Sequence, residues 1–227
     1  MTDETSVKKN IEFDLYLKVI YLSIPLALFL FFYIGLRSGQ YNLAIWNKTL
    51  AWTAVILAGM SMILSGLCYF WNFAKPMIIY RKQLGFISFF YALSHFLVTF
   101  VFLQENFPFP QYYFHPSNIL VIAFGLTAIL MFLVMVLIGL HPILSRIGGK
   151  RWRQLLRLGY IAYVLIILHF AIDRYESWLN WLLNPKKDLP PIGLPIFIFA
   201  LVVLLMRIAL EFHKRFIHKD NLVNNLP

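Results

Sequence analysis

The chain has 227 residues, of which 60% are hydrophobic and only 13% are charged, and a formal net charge of +10. Because soluble domains carry about 25% charged residues, this composition excludes an ordinary soluble protein and favours an integral membrane protein. The positive charge fits basic loops beside anionic lipid, so we predict membrane lipid and not nucleic acid as a partner.

Six apolar stretches are each about 20 to 24 residues long, enough to cross a hydrocarbon core of about 30 Å. The first is too long for the apolar part of a cleavable signal and is predicted as a transmembrane helix. We therefore predict an all-α integral membrane protein, a six-helix bundle that forms one domain over residues 1–227. In chain order the predicted spans cover about 13–36, 48–71, 83–104, 118–140, 153–174 and 192–213.

Basic residues in the loops and tails and at the ends of these spans are divided unequally between the two sides of the predicted bundle. An even number of spans places both termini on one side, which would hold twelve Lys and Arg residues against five on the other. This excess predicts a multi-pass protein of the inner (plasma) membrane with both termini in the cytoplasm. The tryptophans at predicted span ends are interpreted as interfacial anchors: Trp46, Trp52, Trp71, Trp152, Trp178 and Trp181.

Two of the six histidines, His95 and His169, lie within apolar spans. The third and fifth spans run in the same direction, and at 1.5 Å per residue the two rings lie about 18 Å and about 24 Å from the cytoplasmic end. Two neutral imidazoles at similar depth can hold a b-type heme from both axial sides, which suits electron transfer. The alternative for each is a hydrogen bond to a neighbouring helix.

Small and polar side chains share a helical face with each histidine. Such residues leave room for a flat macrocycle, although close packing between membrane helices uses the same residue types. Both interpretations stay open on the sequence alone. The candidate heme-packing residues are Ser88, Tyr91, Ala92 and Thr99 on the third span, with Gly159 and Ala162 on the fifth.

Two segments resemble the ferric reductase-like transmembrane domain family. YRKQLGFISFFYALSHFL is similar to its basic-x-x-Leu-Gly opening followed by Tyr-Ala-x-x-His, and RIGGKRWRQLLRLGYIAYVLIILHF to its Trp- and Leu-His-containing pattern. The resemblance covers residues of about 48–175 and is closest to a bacterial branch without an attached flavin domain. That branch includes the heme-binding membrane subunit of a periplasmic methionine-sulfoxide reductase system.

The resemblance implies that His95 and His169 are the axial ligands of a heme b. It also implies electron flow from a cytoplasmic flavin reductase or a membrane quinol to an outer-side redox partner, such as a methionine-sulfoxide reductase. The chain would then be the electron-transfer subunit of an oxidoreductase and not the subunit that converts the substrate.

The sequence departs from the family pattern at Leu156, where the family commonly has a second histidine on the fifth helix. We therefore expect one heme, near the outer face. His141 is an alternative inner ligand, and FMN or a quinone is the further cofactor that would bridge the inner half. Arg81, Arg153 and Arg157 are candidate contacts for a flavin phosphate or for heme propionates.

Three other hypotheses remain open. Leu156 favours a heme-less structural or assembly protein on the same scaffold, and an exposed heme edge would also serve a ferric-chelate reductase. A proton-coupled transporter ranks last, because proton relays use chains of acidic groups and the predicted spans contain almost none.

Overall fold

The computed structural model describes residues 2–116, 118–139, 157–184 and 189–223. Within these ranges the protein is helical and contains no β-strand. Among the described residues, six helical segments are long and apolar enough to cross a membrane, so the prediction of an all-α bundle of six such segments is confirmed. The α-helices are α1 (Thr2–Ser38), α2 (Leu43–Phe70), α3 (Arg81–Leu97), α4 (Ile119–Ile138), α5 (Leu158–Leu183) and α6 (Gly193–Val223), and the third membrane-length segment, Asn72–Phe102, contains α3.

The turn between α1 and α2 is built from residues that suit helix ends. Gly39 follows the last residue of α1 with φ at +67°, a left-handed conformation that glycine adopts without a Cβ clash. Asn42 then caps α2, since its side chain accepts a hydrogen bond from the Ile45 N–H at 3.0 Å. The two helices are therefore joined by a short connection.

The third span has three parts. A 3₁₀ segment, Asn72–Tyr80, leads into α3, and a π-helical turn, Val98–Phe102, follows it. The Leu103 N–H donates to the Val98 carbonyl at 3.1 Å, five residues back. Turns of this kind occur often at functional sites, and this one begins three residues after His95.

The fifth helix continues to Leu183, beyond the predicted end of the span at 174. Asp173 and Arg174 interrupt the apolar run, but their side chains pair with each other at 2.6 Å. No glycine or proline follows them before Pro185. A charged pair of this kind ends an apolar stretch without ending the helix.

Helix α2 lies at the centre of the bundle and contacts α1, α3, α5 and α6. Helices α2 and α3 pack closely together, as do α4 and α5. We call these two pairs the α2–α3 hairpin and the α4–α5 hairpin. Tyr163 of α5 is fully buried between them, and its hydroxyl donates to the Val55 carbonyl of α2 at 3.3 Å. Large apolar side chains such as Phe29, Leu130 and Leu205 face outward, as a lipid-facing surface requires.

Two tryptophans predicted as interfacial anchors are instead core residues. Trp52 and Trp178 are only 8% and 7% exposed. The Trp52 ring meets the Phe170 ring edge to face at 5.1 Å, and Phe170 in turn packs against Trp178. Both indoles lie over Gly193, where an added Cβ would be 2.9 Å from Trp52 and 3.1 Å from Trp178. The interpretation as anchors was wrong for this pair because the missing side chain at Gly193 leaves room for both rings.

Candidate functional site

A cavity of about 230 Å³ lies between the α2–α3 hairpin and the α4–α5 hairpin. We call it the histidine cavity, because His95 and His169 both line it. Its position is near the start of α2 and the end of α3, and its walls are mostly apolar, with Ala54, Val55 and Ile129 among them. An apolar cavity with a few converging polar groups is the usual form of a cofactor site.

His95 is held by a ring of hydrogen bonds that joins α3 to α2. Its Nδ1 lies 2.9 Å from Asn47 Oδ1 and 3.2 Å from the Asn47 backbone oxygen. Asn47 Nδ2 donates to Thr99 Oγ1 at 2.7 Å, and the Thr99 hydroxyl donates to the His95 carbonyl at 2.9 Å. A backbone oxygen can only accept, so His95 Nδ1 carries the proton and donates.

His169 is held in a similar way across the other hairpin. Its Nδ1 lies 2.7 Å from the Val121 backbone oxygen on α4, which fixes the proton on Nδ1. Gly125, one turn further along α4, makes room for the ring. A Cβ at Gly125 would lie 2.9 Å from His169 Nδ1 and 3.0 Å from Cε1. The imidazole therefore sits directly against the backbone of α4.

Both rings thus have the same tautomer. With Nδ1 protonated, the electron pair of each imidazole is on Nε2 and is available to a metal. A metal-binding histidine almost always donates its other N–H to a carbonyl or carboxylate in this manner. In each hairpin the acceptor lies 48 residues before the histidine, on the preceding helix. The arrangement can therefore supply two nitrogen ligands to one group.

Charged side chains stand at the mouth of the histidine cavity. Lys48, Asp173 and Arg174 line it together with Tyr113 of the loop after α3. Asp173 pairs with Arg174 at 2.6 Å, and within the described residues no carboxylate pairs with Lys48. Burial raises the pKa of the Tyr113 phenol above its ordinary value of 10.0, so its hydroxyl remains a donor. The mouth therefore carries one positive charge more than its acidic group balances.

The predicted packing residues fall into two groups. Ser88, Ala92 and Thr99 line the histidine cavity. The other three lie elsewhere: Tyr91 donates to Ser23 of α1 at 3.2 Å, Ala162 is fully buried in the core, and Gly159 lines a different cavity.

A second cavity, of about 640 Å³, lies at the opposite end of the bundle, where α3 and α5 begin and α4 ends. We call it the far cavity. Arg81 and Lys82 line it with Tyr160, and no described histidine or cysteine does. Phe132 borders both cavities and is therefore the side chain between them. Arg157 lies exposed at the start of α5, whereas Arg153, His141 and Leu156 lie outside the described residues.

Sequence reasoning identifies neither Asn47 nor Gly125 as a site residue. The predicted second span starts at 48, one residue after Asn47, so this amide is assigned to a loop. A polar run, Asn-Lys-Thr, at the start of an apolar stretch is the signal that was present. No pattern singles out Gly125, because its role depends on a ring from another helix.

A family model described as "Ferric reductase like transmembrane component" matches residues 43–167, more than half of the chain. The matched range contains Asn47, His95 and Gly125 and ends two residues before His169. The family resemblance seen in the sequence is thereby confirmed.

Individual relatives are similar over parts of the chain. The protein-methionine-sulfoxide reductase heme-binding subunit MsrQ of Herminiimonas arsenicoxydans is 31% identical over 64% of this chain and 60% of its own length. MsrQ of Rhodospirillum rubrum is 28% identical over 52% of this chain and 54% of its own length. The magnetosome protein MamZ of Magnetospirillum gryphiswaldense is 31% identical over 43% of this chain and 15% of its own length. The chain thus matches 60% or less of each of these relatives.

Proposed function

The chain belongs to the ferric reductase like transmembrane component family, and we propose from this premise that it is a membrane electron-transfer subunit with one b-type heme. His95 and His169 would be the axial ligands. The subunit would pass electrons across the membrane to an acceptor on the outer side. The name of the two MsrQ relatives, heme-binding subunit of a protein-methionine-sulfoxide reductase, supports this assignment.

One observation carries the proposal. Two imidazoles from different hairpins line a single apolar cavity, and a carbonyl oxygen fixes each with its electron pair on Nε2. A structural histidine needs only one satisfied nitrogen, and a purely structural role does not explain why both histidines line one apolar cavity. Two imidazole ligands from opposite hairpins are what a bis-histidine heme requires.

The donor set fits heme better than a bare metal ion. The described residues contain no group of three or more His, Cys, Asp or Glu side chains that could hold an ion, whereas a structural zinc site takes four protein ligands. A heme brings its own four equatorial nitrogens and needs only the axial pair, and it supplies a one-electron couple when bound. Lys48 and Arg174 would hold its propionates, since they leave the mouth of the cavity with excess positive charge.

We place both termini in the cytoplasm of a cell with an inner (plasma) membrane. The support is the excess of basic residues on that side of the six spans. In this orientation the histidine cavity lies near the outer face, and the far cavity opens toward the cytoplasm. The acceptor would be an outer-side redox protein, with a periplasmic methionine-sulfoxide reductase as the first candidate.

Electrons would enter through the far cavity. Its apolar walls and the cation Arg81 suit a quinol or the phosphate of a flavin, delivered from the membrane or by a cytoplasmic flavin reductase, whereas Lys82 pairs with Glu12, which also lines this cavity. Phe132 would separate this donor from the histidine cavity. A flavin or quinol bound in the far cavity would shorten the distance that an electron crosses from the cytoplasmic side to the histidine cavity.

The test is the reduced-minus-oxidised absorption spectrum of protein purified from heme-replete cells. We expect a sharp b-type spectrum that is lost in His95→Ala and in His169→Ala. His213→Ala is the matched control, because this exposed histidine packs only against Tyr69 and Phe70 in the described structure. A folded wild-type protein without absorbance would refute the proposal and favour a heme-less scaffold protein.

A further inference from the structure

The two histidines differ in what their Nδ1 protons meet. His169 donates to the Val121 backbone oxygen, an acceptor that no side-chain substitution removes. His95 donates to the side-chain oxygen of Asn47 at 2.9 Å, with the Asn47 backbone oxygen further away at 3.2 Å. The strength of the bond at His95 therefore depends on one side chain.

The Asn47 side chain is buried and oriented by hydrogen bonds so that its Oδ1 accepts from His95. It is only 4% exposed, although a buried amide is costly unless its polar atoms are paired. Its Nδ2 donates to Thr99 Oγ1 at 2.7 Å, which turns Oδ1 toward the imidazole. Thr99 is itself held by its bond to the His95 carbonyl at 2.9 Å. The orientation of the amide is thus set by the same helix turn that carries the histidine.

We infer that Asn47 is a positioning residue that sets the reduction potential of the histidine-bound group by fixing and polarising His95. An acceptor on Nδ1–H moves electron density toward Nε2 and makes the imidazole a stronger ligand. A stronger donor favours the ferric over the ferrous state and so lowers the potential. This inference rests on the proposed heme function, and it adds a residue that does not touch the heme.

Two substitutions by residues of nearly the same size as asparagine change the strength of the hydrogen bond from His95 Nδ1 in opposite directions. Asn47→Leu removes the side-chain acceptor and leaves only the weaker backbone oxygen. Asn47→Asp keeps an oxygen at this position and gives it charge, and a charge-assisted hydrogen bond is about twice as strong as a neutral one. Thr53→Val is the control, since Thr53 is fully buried on the same helix but bonds only to the Thr49 carbonyl.

The measurement is a spectroelectrochemical titration of the heme in each purified variant. Loss of a residue that hydrogen-bonds to a metal ligand costs about 10- to 100-fold in metal affinity. Since the backbone oxygen remains, we expect Asn47→Leu to shift the ferric-to-ferrous affinity ratio by about tenfold, which raises the potential by about 59 mV for a one-electron couple. Asn47→Asp should lower the potential, and Thr53→Val should leave it unchanged.

The outcomes separate this inference from the proposed function. Wild-type protein without heme refutes the function itself. Heme-loaded variants that keep the wild-type potential, or Leu and Asp variants that shift it in the same direction, overturn the role of Asn47. If Asn47→Leu does not fold, Thr99→Val tests the same set of hydrogen bonds, because it removes the hydroxyl that accepts from Asn47 Nδ2 and orients the amide. An unchanged potential in both Thr99→Val and Asn47→Asp would then overturn the inference.

Discussion

Replacing Gly125 by alanine directly tests whether the His169 imidazole must pack against the backbone of α4. The new Cβ would lie 2.9 Å from Nδ1 and 3.0 Å from Cε1 of the ring, whereas non-bonded carbon atoms prefer about 3.5 to 4.0 Å. The imidazole must therefore retreat by about 0.5 to 1 Å. That movement stretches the bond to the Val121 oxygen from 2.7 Å to beyond the limit of about 3.2 Å for a good hydrogen bond.

The expected loss follows from this displacement. A lost hydrogen bond costs about 0.5 to 1.5 kcal/mol, and a disturbed ligand partner costs about 10- to 100-fold in metal affinity. We expect Gly125→Ala to bind heme at least about tenfold more weakly than wild type in titrations of the heme-depleted protein.

Gly85→Ala is the matched control for that titration. A Cβ at Gly85 would meet only Ser61 Oγ at 3.4 Å, an ordinary contact. Both changes gain helix propensity by about 1 kcal/mol, so a difference between them reports the site and not the helix. Equal heme affinity in Gly125→Ala, Gly85→Ala and wild type would refute the assignment of His169 as a ligand seated on α4.

Three further predictions concern the mouth, the far cavity and the topology. We expect heme-depleted wild type to bind hemin more tightly than hemin dimethyl ester, because the ester lacks the charged propionates that Lys48 and Arg174 would bind. The double variant Lys48→Met/Arg174→Gln should lose this preference, and an equal preference in both proteins would contradict a propionate site. Arg81→Gln should leave the heme spectrum unchanged but slow its reduction by a quinol analogue, whereas an unchanged rate would place electron entry elsewhere. In a Cys68→Ser background, Glu105→Cys should react with an impermeant maleimide on intact cells and Lys75→Cys should not; the reverse result would invert the proposed orientation.

The long-range features of the fold follow from simple properties of the sequence. Six apolar stretches predict six helices because the bilayer allows few other spanning structures, and counting residues along the third and fifth spans brings His95 and His169 to similar depth. Both histidines do line one cavity. These inferences need only the rise per residue of a helix and the direction in which each span crosses the membrane, and neither depends on contacts with neighbouring helices.

Features that depend on contacts between helices could not be predicted. The single-sequence pattern cannot tell that Asn47 faces His95, since that contact depends on how α2 and α3 are rotated against each other. The same holds for Trp52, which looks like an interfacial anchor by position but packs on Phe170. Tyr91 shares a predicted face with His95, yet it contacts Ser23 of α1, because α3 has neighbours on more than one side.

The hydrogen bonds of the two histidines stay within their own hairpins, and this has a consequence for how the protein is assembled. His95 is fixed to α2 and His169 to α4, so neither hydrogen bond depends on contact between the two hairpins. A group bound to both nitrogens would join the halves as a crosslink does. Insertion of the cofactor and final closure of the bundle in the membrane would then be a single event, and supply of the cofactor would set the yield of the mature protein.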